Sequence, residues 1–376
     1  MFNMTPLPQI HTMRKMIVDG SATSGFQRTA LVALNGAIDQ TCRIETVAVE
    51  EDACQRVTDQ VFSVDRLGIP LIEITTAPCM KTPEQVHDVA QYIGMTLRST
   101  GRVKRGLGTI RQDVNVSIRD GARVEIKGVQ ELDLIAEVVR REVQRQLSLL
   151  AIKDELIARN ALVNGEVYDV TSVFAKTLSQ VLKKAKVILG TVLHGFAGLV
   201  GMEIQPGRRL GSEMSDYAKK CGVGGLFHTD ELPAYGVTAE EVSVLKESLG
   251  AGEQDAVIIV AATEQKSRCA MQMIIRRAKM AMEGVPEETR KMLEGGSTAY
   301  MRPLPGAARM YPETDILPVP VTQEYWESIT TPELLIDKAE RFVHEYGLDA
   351  GMAHQIAFSD KLPLFERAVA EGIRPV

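Results

Sequence analysis

Residues 109–128 read TIRQDVNVSIRDGARVEIKG, and the way they alternate decides how the rest of the chain is read. Ile110, Val114, Val116 and Ile118 fall on one face, and Val124 and Ile126 continue it on the return. Arg111, Asp113, Asn115 and Ser117 fall on the other, joined by Arg123, Glu125 and Lys127. A period of two on both sides of Asp120-Gly121 predicts a β-hairpin. A two-residue Asp-Gly loop would set Val116 opposite Glu125 and mix the faces. A three-residue loop, Arg119-Asp120-Gly121 with Gly121 left-handed, keeps them apart. Asp113 then lies opposite Lys127, Asn115 opposite Glu125 and Ser117 opposite Arg123. Such a face is either a solvated surface laced with cross-strand ion pairs or a site.

The flanking sequence bears on that choice. Between residues 89 and 112 there is no acidic residue, while Arg98, Arg102, Lys104, Arg105 and Arg111 are interleaved with Gly101, Gly106 and Gly108. A basic, glycine-rich loop feeding a carboxylate-bearing hairpin suits an anionic ligand, a nucleotide or RNA phosphate. Upstream, residues 67–78 (LGIPLIEITTAP) form a short apolar strand with Glu73 at its centre. A lone carboxylate there faces a polar cavity, binds a metal ion, or sits on an exposed sheet face. Thr82-Pro83-Glu84-Gln85 predicts a helix start, with Thr82 as cap, Gln85 completing the capping box and Gly101 as the end. Val86, Val89, Ala90, Ile93 and Leu97 are its expected buried stripe. After the hairpin, residues 131–150 predict a long helix, with Leu132, Ile135, Val139, Val143, Leu147 and Leu150 covering the apolar side of the sheet.

The 376 residues suffice for about two to three domains. A net charge of −6 argues against nonspecific coating of nucleic acid but leaves room for local basic patches. No apolar run reaches membrane-spanning length, and residues 1–20 lack the pattern of a signal peptide. The five cysteines, Cys42, Cys54, Cys79, Cys221 and Cys269, form no CxxC pattern, which predicts a reducing, cytoplasmic setting.

Near the start, residues 15–19, 29–34 and 43–49 read as strands, and 20–25 as a Gly/Ser/Thr loop that either cradles phosphate or simply turns. Residues 187–201 read as strand, turn and strand, and 212–221 as a helix stopped by Gly222. Thr238 and Glu241 form a second capping box, residues 255–263 a buried strand, and 264–283 a long helix. This stretch reads as an α+β unit without an acid–base constellation, in which His194 and His228 are core or turn residues. Residues 301–320, with Arg302, Arg309, Glu313 and Asp315 among prolines, read as an ordered loop or edge.

Taken together, GIPLIEI, TAP, KTPEQ, LRSTGRVKRGLGTIRQDVNVSI and ARVEIKGVQ resemble the catalytic cradle of the E subunits of archaeal Glu-tRNA(Gln) amidotransferases. The B subunits of bacterial amidotransferases are more distant relatives. VDGSATSGFQRTALVA, EEDACQR and MRPLPGAARMYPETDI fit the same family. The resemblance implies an α+β fold: a glutamine synthetase-like antiparallel-sheet cradle over 1–172, an insertion of the bacterial aspartyl-tRNA synthetase type over 173–296, a return to the cradle over 297–326 and the start of a helical domain over 327–376.

It also implies an ATP-dependent carbon–nitrogen ligase with glutamine as amido donor. The family phosphorylates the glutamyl carboxylate of misacylated Glu-tRNA(Gln) with ATP and Mg²⁺. It then transamidates that carboxylate with ammonia from a glutaminase/asparaginase-like partner, the D subunit. By motif, Glu73, Asp113 and Glu125 are expected metal carboxylates, Lys127 a catalytic cation, and Arg111, Asn115 and Arg105 cofactor-binding residues. The family's N-terminal GLEIH-type strand and its later helical and tail domains have no counterpart here, so the chain reads as an internal fragment or a truncated product. Two rival functions are an inactive RNA-binding remnant of that subunit and an ATP-dependent ligase of free amino acids.

Overall fold

The computed structural model describes every residue except 1, 18–21, 23, 39–41, 59, 107, 305, 307, 308 and 376. The chain is α+β and divides into two compact units, one formed by residues 1–110 with 306–376 and the other by 111–305. Among the described residues, no helix is long and apolar enough to cross a membrane.

The first unit is built on an antiparallel sheet in the order Met310–Pro312, Thr12–Met16, Phe26–Ile38, Cys42–Glu51, Pro70–Thr76, with Thr5–Pro6 also paired to Phe26–Ile38. The proline-bearing 310–312 strand takes an edge, where a missing N–H breaks no ladder. The expected strand at 15–19 is found at Thr12–Met16, and residues 18 and 19 lie outside the described residues. Residues 20, 21 and 23 of the Gly/Ser/Thr loop lie outside them too.

Helix Pro83–Ser99 starts as its sequence requires: Thr82 Oγ1 accepts from the Gln85 N–H, and the Gln85 side chain accepts from the Thr82 N–H, each at 3.2 Å. Of its expected apolar stripe only Val89 is buried, together with Met95, Thr96 and Ser99. The helix serves two cores: Val89 packs with Ile38 and Ile44 of the sheet, and Met95 packs with Leu335, Phe342 and Leu362 of the C-terminal helices.

The second unit holds two four-stranded sheets. One runs Thr298–Pro303, Glu288–Met292, Val124–Lys127, Val114–Val116, with the middle pair parallel. The other runs Tyr168–Asp169, Val187–Leu193, Ala256–Ala262, Phe227–His228. Helix Ile135–Ala158 serves both, its first turns against the hairpin sheet and Leu149, Ile152 and Leu156 in the core of the second. The boundary expected at 172–173 lies within this unit, and strand Glu288–Met292, expected inside the insertion, hydrogen-bonds to the hairpin.

Several local expectations need correcting. The 187–201 segment contains one strand, 187–193, and then continues in turns where Gly195 and Gly198 have positive φ. On helix 135–158 Leu147 is exposed and the buried stripe carries Glu142, Arg145 and Gln146, because that face meets charged partners. The scattered cysteines predict a reducing setting, yet Cys42 and Cys79, and Cys221 and Cys269, form disulfides with Cα separations of 5.6 and 5.8 Å. Partners 37 and 48 residues apart leave no mark in the spacing pattern.

Candidate functional site: the open face of the hairpin sheet

The faces separate as the alternation requires. Val116 pairs with Val124, Asn115 with Glu125 and Val114 with Ile126, while Val114, Val116, Val124 and Ile126 are buried beneath helix 135–158. The turn differs from expectation. Asp120, not Gly121, is left-handed, with φ +62°. Gly121 is required for space instead: a Cβ there would sit 2.3 Å from Gln146 Oε1 and 2.8 Å from Ile118 Cγ1. Gln146 ties the hairpin tip to the helix by accepting from the Ala122 N–H at 3.3 Å and donating to the Val116 carbonyl at 3.4 Å.

On the open face the Lys127 ammonium lies 2.6 Å from Asp113 Oδ2 and 2.8 Å from Glu125 Oε1. Glu125 uses its other oxygen, Oε2, to accept from the Thr289 hydroxyl at 2.9 Å. Burial pushes the Glu125 pKa up, but the hydrogen bond and charge of Lys127, the Thr289 hydroxyl and the charge of Arg302 together hold it below the ordinary carboxylate range. Burial likewise favours neutral Lys127, and the two carboxylates overcome it, leaving the amine pKa raised. Both groups are held in their charged forms.

Strand pairing extends this site beyond the hairpin. Asn115, Glu125, Thr289 and Arg302 form one row across four strands, and Lys291 stands beside Lys127 in the next. Asn115, Lys291 and Arg302 are exposed. Thr289 and Lys291 carry no signal in the sequence. Residues 288–292 (ETRKM) give no apolar period because the residues on the buried side of that strand, Glu288 and Arg290, are themselves charged.

That buried side is a six-charge cluster. Arg145, Arg277 and Arg290 interlock with Glu142, Glu213 and Glu288, all fully buried. Arg145 reaches Glu142 at 2.8 Å, Glu213 at 2.5 Å and Glu288 at 2.6 Å. Glu213 also receives Arg277 at 2.5 Å and Arg290 at 2.9 Å. Burial drives the Glu213 pKa upward, and the three arginines overwhelm it, leaving the carboxyl far below its ordinary range. Each charge has an opposite partner within the cluster, the condition for burying it. Glu142 is the least compensated: burial raises its pKa against Arg145, Arg290 and the Gln146 hydrogen bond. The cluster fixes strand 288–292 from behind, and with it Thr289.

The other expected site residues fall in both units, two in the first and one in the second. Glu73 belongs to the first unit, on the edge strand Pro70–Thr76 opposite Ala48. It is exposed, as is Ile72, which agrees with the exposed-sheet-face alternative among the readings open to it. Arg105, also in the first unit, is exposed, with Nη1 3.5 Å from the Phe358 carbonyl. Arg111 opens the second unit and is exposed. Within either unit, among the described residues, no group of three or more His, Cys, Asp or Glu side chains gathers at metal-binding spacing. His194 and His228 are structural: His194 Nδ1 is 3.0 Å from Asp255 Oδ2, and His228 is buried close against Gly211.

The first unit holds a second charged cluster that the sequence shows only in part. Arg14 and Arg28 face each other on adjacent strands and both bind the Glu313 carboxylate, Arg28 at 2.9 Å. Arg14 foremost holds the Glu313 pKa down, at about 2, against the effect of its burial; the N–H groups of Asp315 and Thr314 and the Arg28 hydrogen bond add to this.

Residues 1–327 match the GatB/GatE catalytic domain family. The chain is 67% identical over 372 residues to the E subunit of a Glutamyl-tRNA(Gln) amidotransferase from Methanospirillum hungatei, covering 99% of this chain and 61% of the relative. It is 58% identical over 379 residues to the protein of that name from Methanosarcina barkeri, covering 98% and 60%. To the protein of the same name from Haloarcula marismortui the chain is 53% identical over 388 residues, covering 100% of this chain and 62% of the relative. The chain thus spans about three-fifths of the length of these curated relatives.

Proposed function

The chain belongs to the GatB/GatE catalytic domain family, and on that premise we propose that it is the part of a Glu-tRNA(Gln) amidotransferase subunit that activates the glutamyl carboxylate. In this reading it acts in the cytoplasm as an ATP-dependent carbon–nitrogen ligase. Its substrate is Glu-tRNA(Gln), and its ammonia comes from glutamine through a glutaminase/asparaginase-like partner subunit. The sheet of the first unit and the hairpin sheet would be parts of the glutamine synthetase-like cradle. The 187–193 and 256–262 strands with their helices would be the aspartyl-tRNA synthetase-like insertion.

The observation that carries the proposal is the open hairpin face, where Asp113 and Glu125 aim carboxylate oxygens at one cationic atom, Lys127 Nζ. Hard oxygen donors converging on a cation fit Mg²⁺, and the donor set present here, two carboxylates with Asp113 exposed to solvent, is the kind Mg²⁺ accepts beside phosphates. When bound, Mg²⁺ would supply charge neutralisation of ATP phosphates. Asp113 and Glu125 would hold it, and Asn115 would orient a water beside it. Glu73 enters through the resemblance alone, as an exposed carboxylate of the first unit. Arg111, Lys291 and Arg302 are exposed cations of the second unit suited to phosphate oxygens, and Arg105 is one of the first.

Release of phosphate from ATP, measured with and without Glu-tRNA(Gln), tests this reading. It requires stimulation by the charged tRNA. Stimulation by free glutamate would identify a ligase of free amino acids instead. Binding of the tRNA with no hydrolysis, in the chain assembled with its partner subunit, would identify an inactive remnant.

A further inference from the structure

We infer that the Lys127 ammonium is an internal cation occupying the two-carboxylate position, so that a divalent ion binds there only by displacing it. The inference rests on the reading of Asp113 and Glu125 as metal-binding carboxylates.

The geometry is that of a filled cation position. Lys127 Nζ lies 2.6 Å from Asp113 Oδ2 and 2.8 Å from Glu125 Oε1, so one ammonium spans oxygens from both arms of the hairpin. Glu125 is anchored from its far side by the Thr289 hydroxyl, 2.9 Å from Oε2, and keeps Oε1 aimed at the shared point. Thr289 is fully buried on a strand whose opposite face is fixed by the six-charge cluster. Glu125 therefore presents Oε1 whether or not a cation is there.

Two carboxylates held this way repel each other unless a positive charge sits between them. The structure supplies that charge from within. A lysine suits an occupant that must leave, because its point charge rides on a flexible four-carbon stem and makes no bidentate fork. Lys291 stands beside it and Arg302 lies one row away, so an ammonium released from the carboxylates would remain on a face rich in exposed cations. Entry of the metal would then turn Lys127 from a partner of the carboxylates into a free cation for a phosphate. Metal and anion binding would be coupled through one side chain.

The experiment uses Mn²⁺ as the probe, with free ion followed by electron paramagnetic resonance in the full chain. The proteins are wild type, Lys127→Met, Lys127→Gln, Asp113→Asn, Glu125→Gln and Lys127→Gln combined with Asp113→Asn. Removing the ammonium is expected to tighten Mn²⁺ binding by about tenfold or more, the size of one charge-assisted hydrogen bond. Adding Asp113→Asn should cancel that gain. Thermal unfolding establishes which variants are folded, and Lys127→Gln, polar and neutral, decides the matter if Lys127→Met does not fold. If both Lys127 variants bind no more tightly than wild type while Asp113→Asn and Glu125→Gln weaken binding, the inference is overturned and the metal reading stands. Binding that ignores Asp113→Asn and Glu125→Gln would overturn both.

Discussion

Thr289 and Glu125 face each other across the parallel pairing of strands 124–127 and 288–292, and the threonine hydroxyl donates to Glu125 Oε2 at 2.9 Å. This bond joins the hairpin, whose polar face is visible in the sequence, to a strand whose role is not. It predicts that Thr289→Val, which removes the donor without changing the shape, costs about 1 kcal/mol of stability. Thr289→Ser should recover most of it. Urea denaturation of the three proteins checks this, and equal midpoints for Val and Ser would assign the threonine a packing role only.

The turn of the hairpin gives a second contrast. Gly121→Ala should destabilise by about 1–3 kcal/mol, because the added methyl meets Gln146 and Ile118 in a closed space. Asp120→Gly, at the position with positive φ, should change stability by no more than about 1 kcal/mol. Thermal melts that ranked the two the other way round would contradict both the close contacts at position 121 and the left-handed conformation at 120.

The buried cluster predicts a large effect from a small change. Glu213→Gln leaves the volume in place but removes the charge shared by Arg145, Arg277 and Arg290. The expected cost is about 3–5 kcal/mol, since uncompensated arginine charge stays behind in the interior. A loss below about 1 kcal/mol by calorimetry would mean that the cluster is hydrated and open.

Acid sensitivity should trace to Glu313. Its pKa is depressed from the ordinary 4.5 to about 2 in the folded chain. A depressed carboxylate contributes stability that is present above its unfolded pKa and lost as pH falls through the folded one. Glu313 therefore adds to acid unfolding between about pH 4.5 and 2. In Glu313→Gln that part of the stability–pH curve should flatten, while the wild-type slope over the same window should persist in a surface control such as Glu340→Gln.

Where the side chains point determines how much of the molecule is legible in the sequence. The hairpin register is legible because one face is apolar and the other polar, so only one pairing keeps Val116 with Val124. The helix starts at Thr82 and Thr238 are legible because a capping box is satisfied by residues three apart. Strand 288–292 is not, since Glu288 and Arg290 are buried and charged and the alternation disappears. For the same reason the sequence of helix 135–158 points to a buried Leu147 when its inward face carries Glu142 and Arg145. Arg14 and Arg28 fall just outside the strands read at 15–19 and 29–34 and carry no signal, because their shared partner, Glu313, lies 299 and 285 positions away. Pattern reading finds faces that differ in polarity; it is blind to interiors held by paired charges.

The central claim is that the open face of the hairpin sheet activates the glutamyl carboxylate, and one measurement bears on it most directly. Phosphate release from ATP in the presence of Glu-tRNA(Gln) is compared for the wild type and Glu125→Gln, both assembled with the ammonia-supplying partner and both shown to be folded. The account predicts tRNA-stimulated release in the wild type and its loss in Glu125→Gln, with tRNA binding retained. Undiminished release from Glu125→Gln would contradict it.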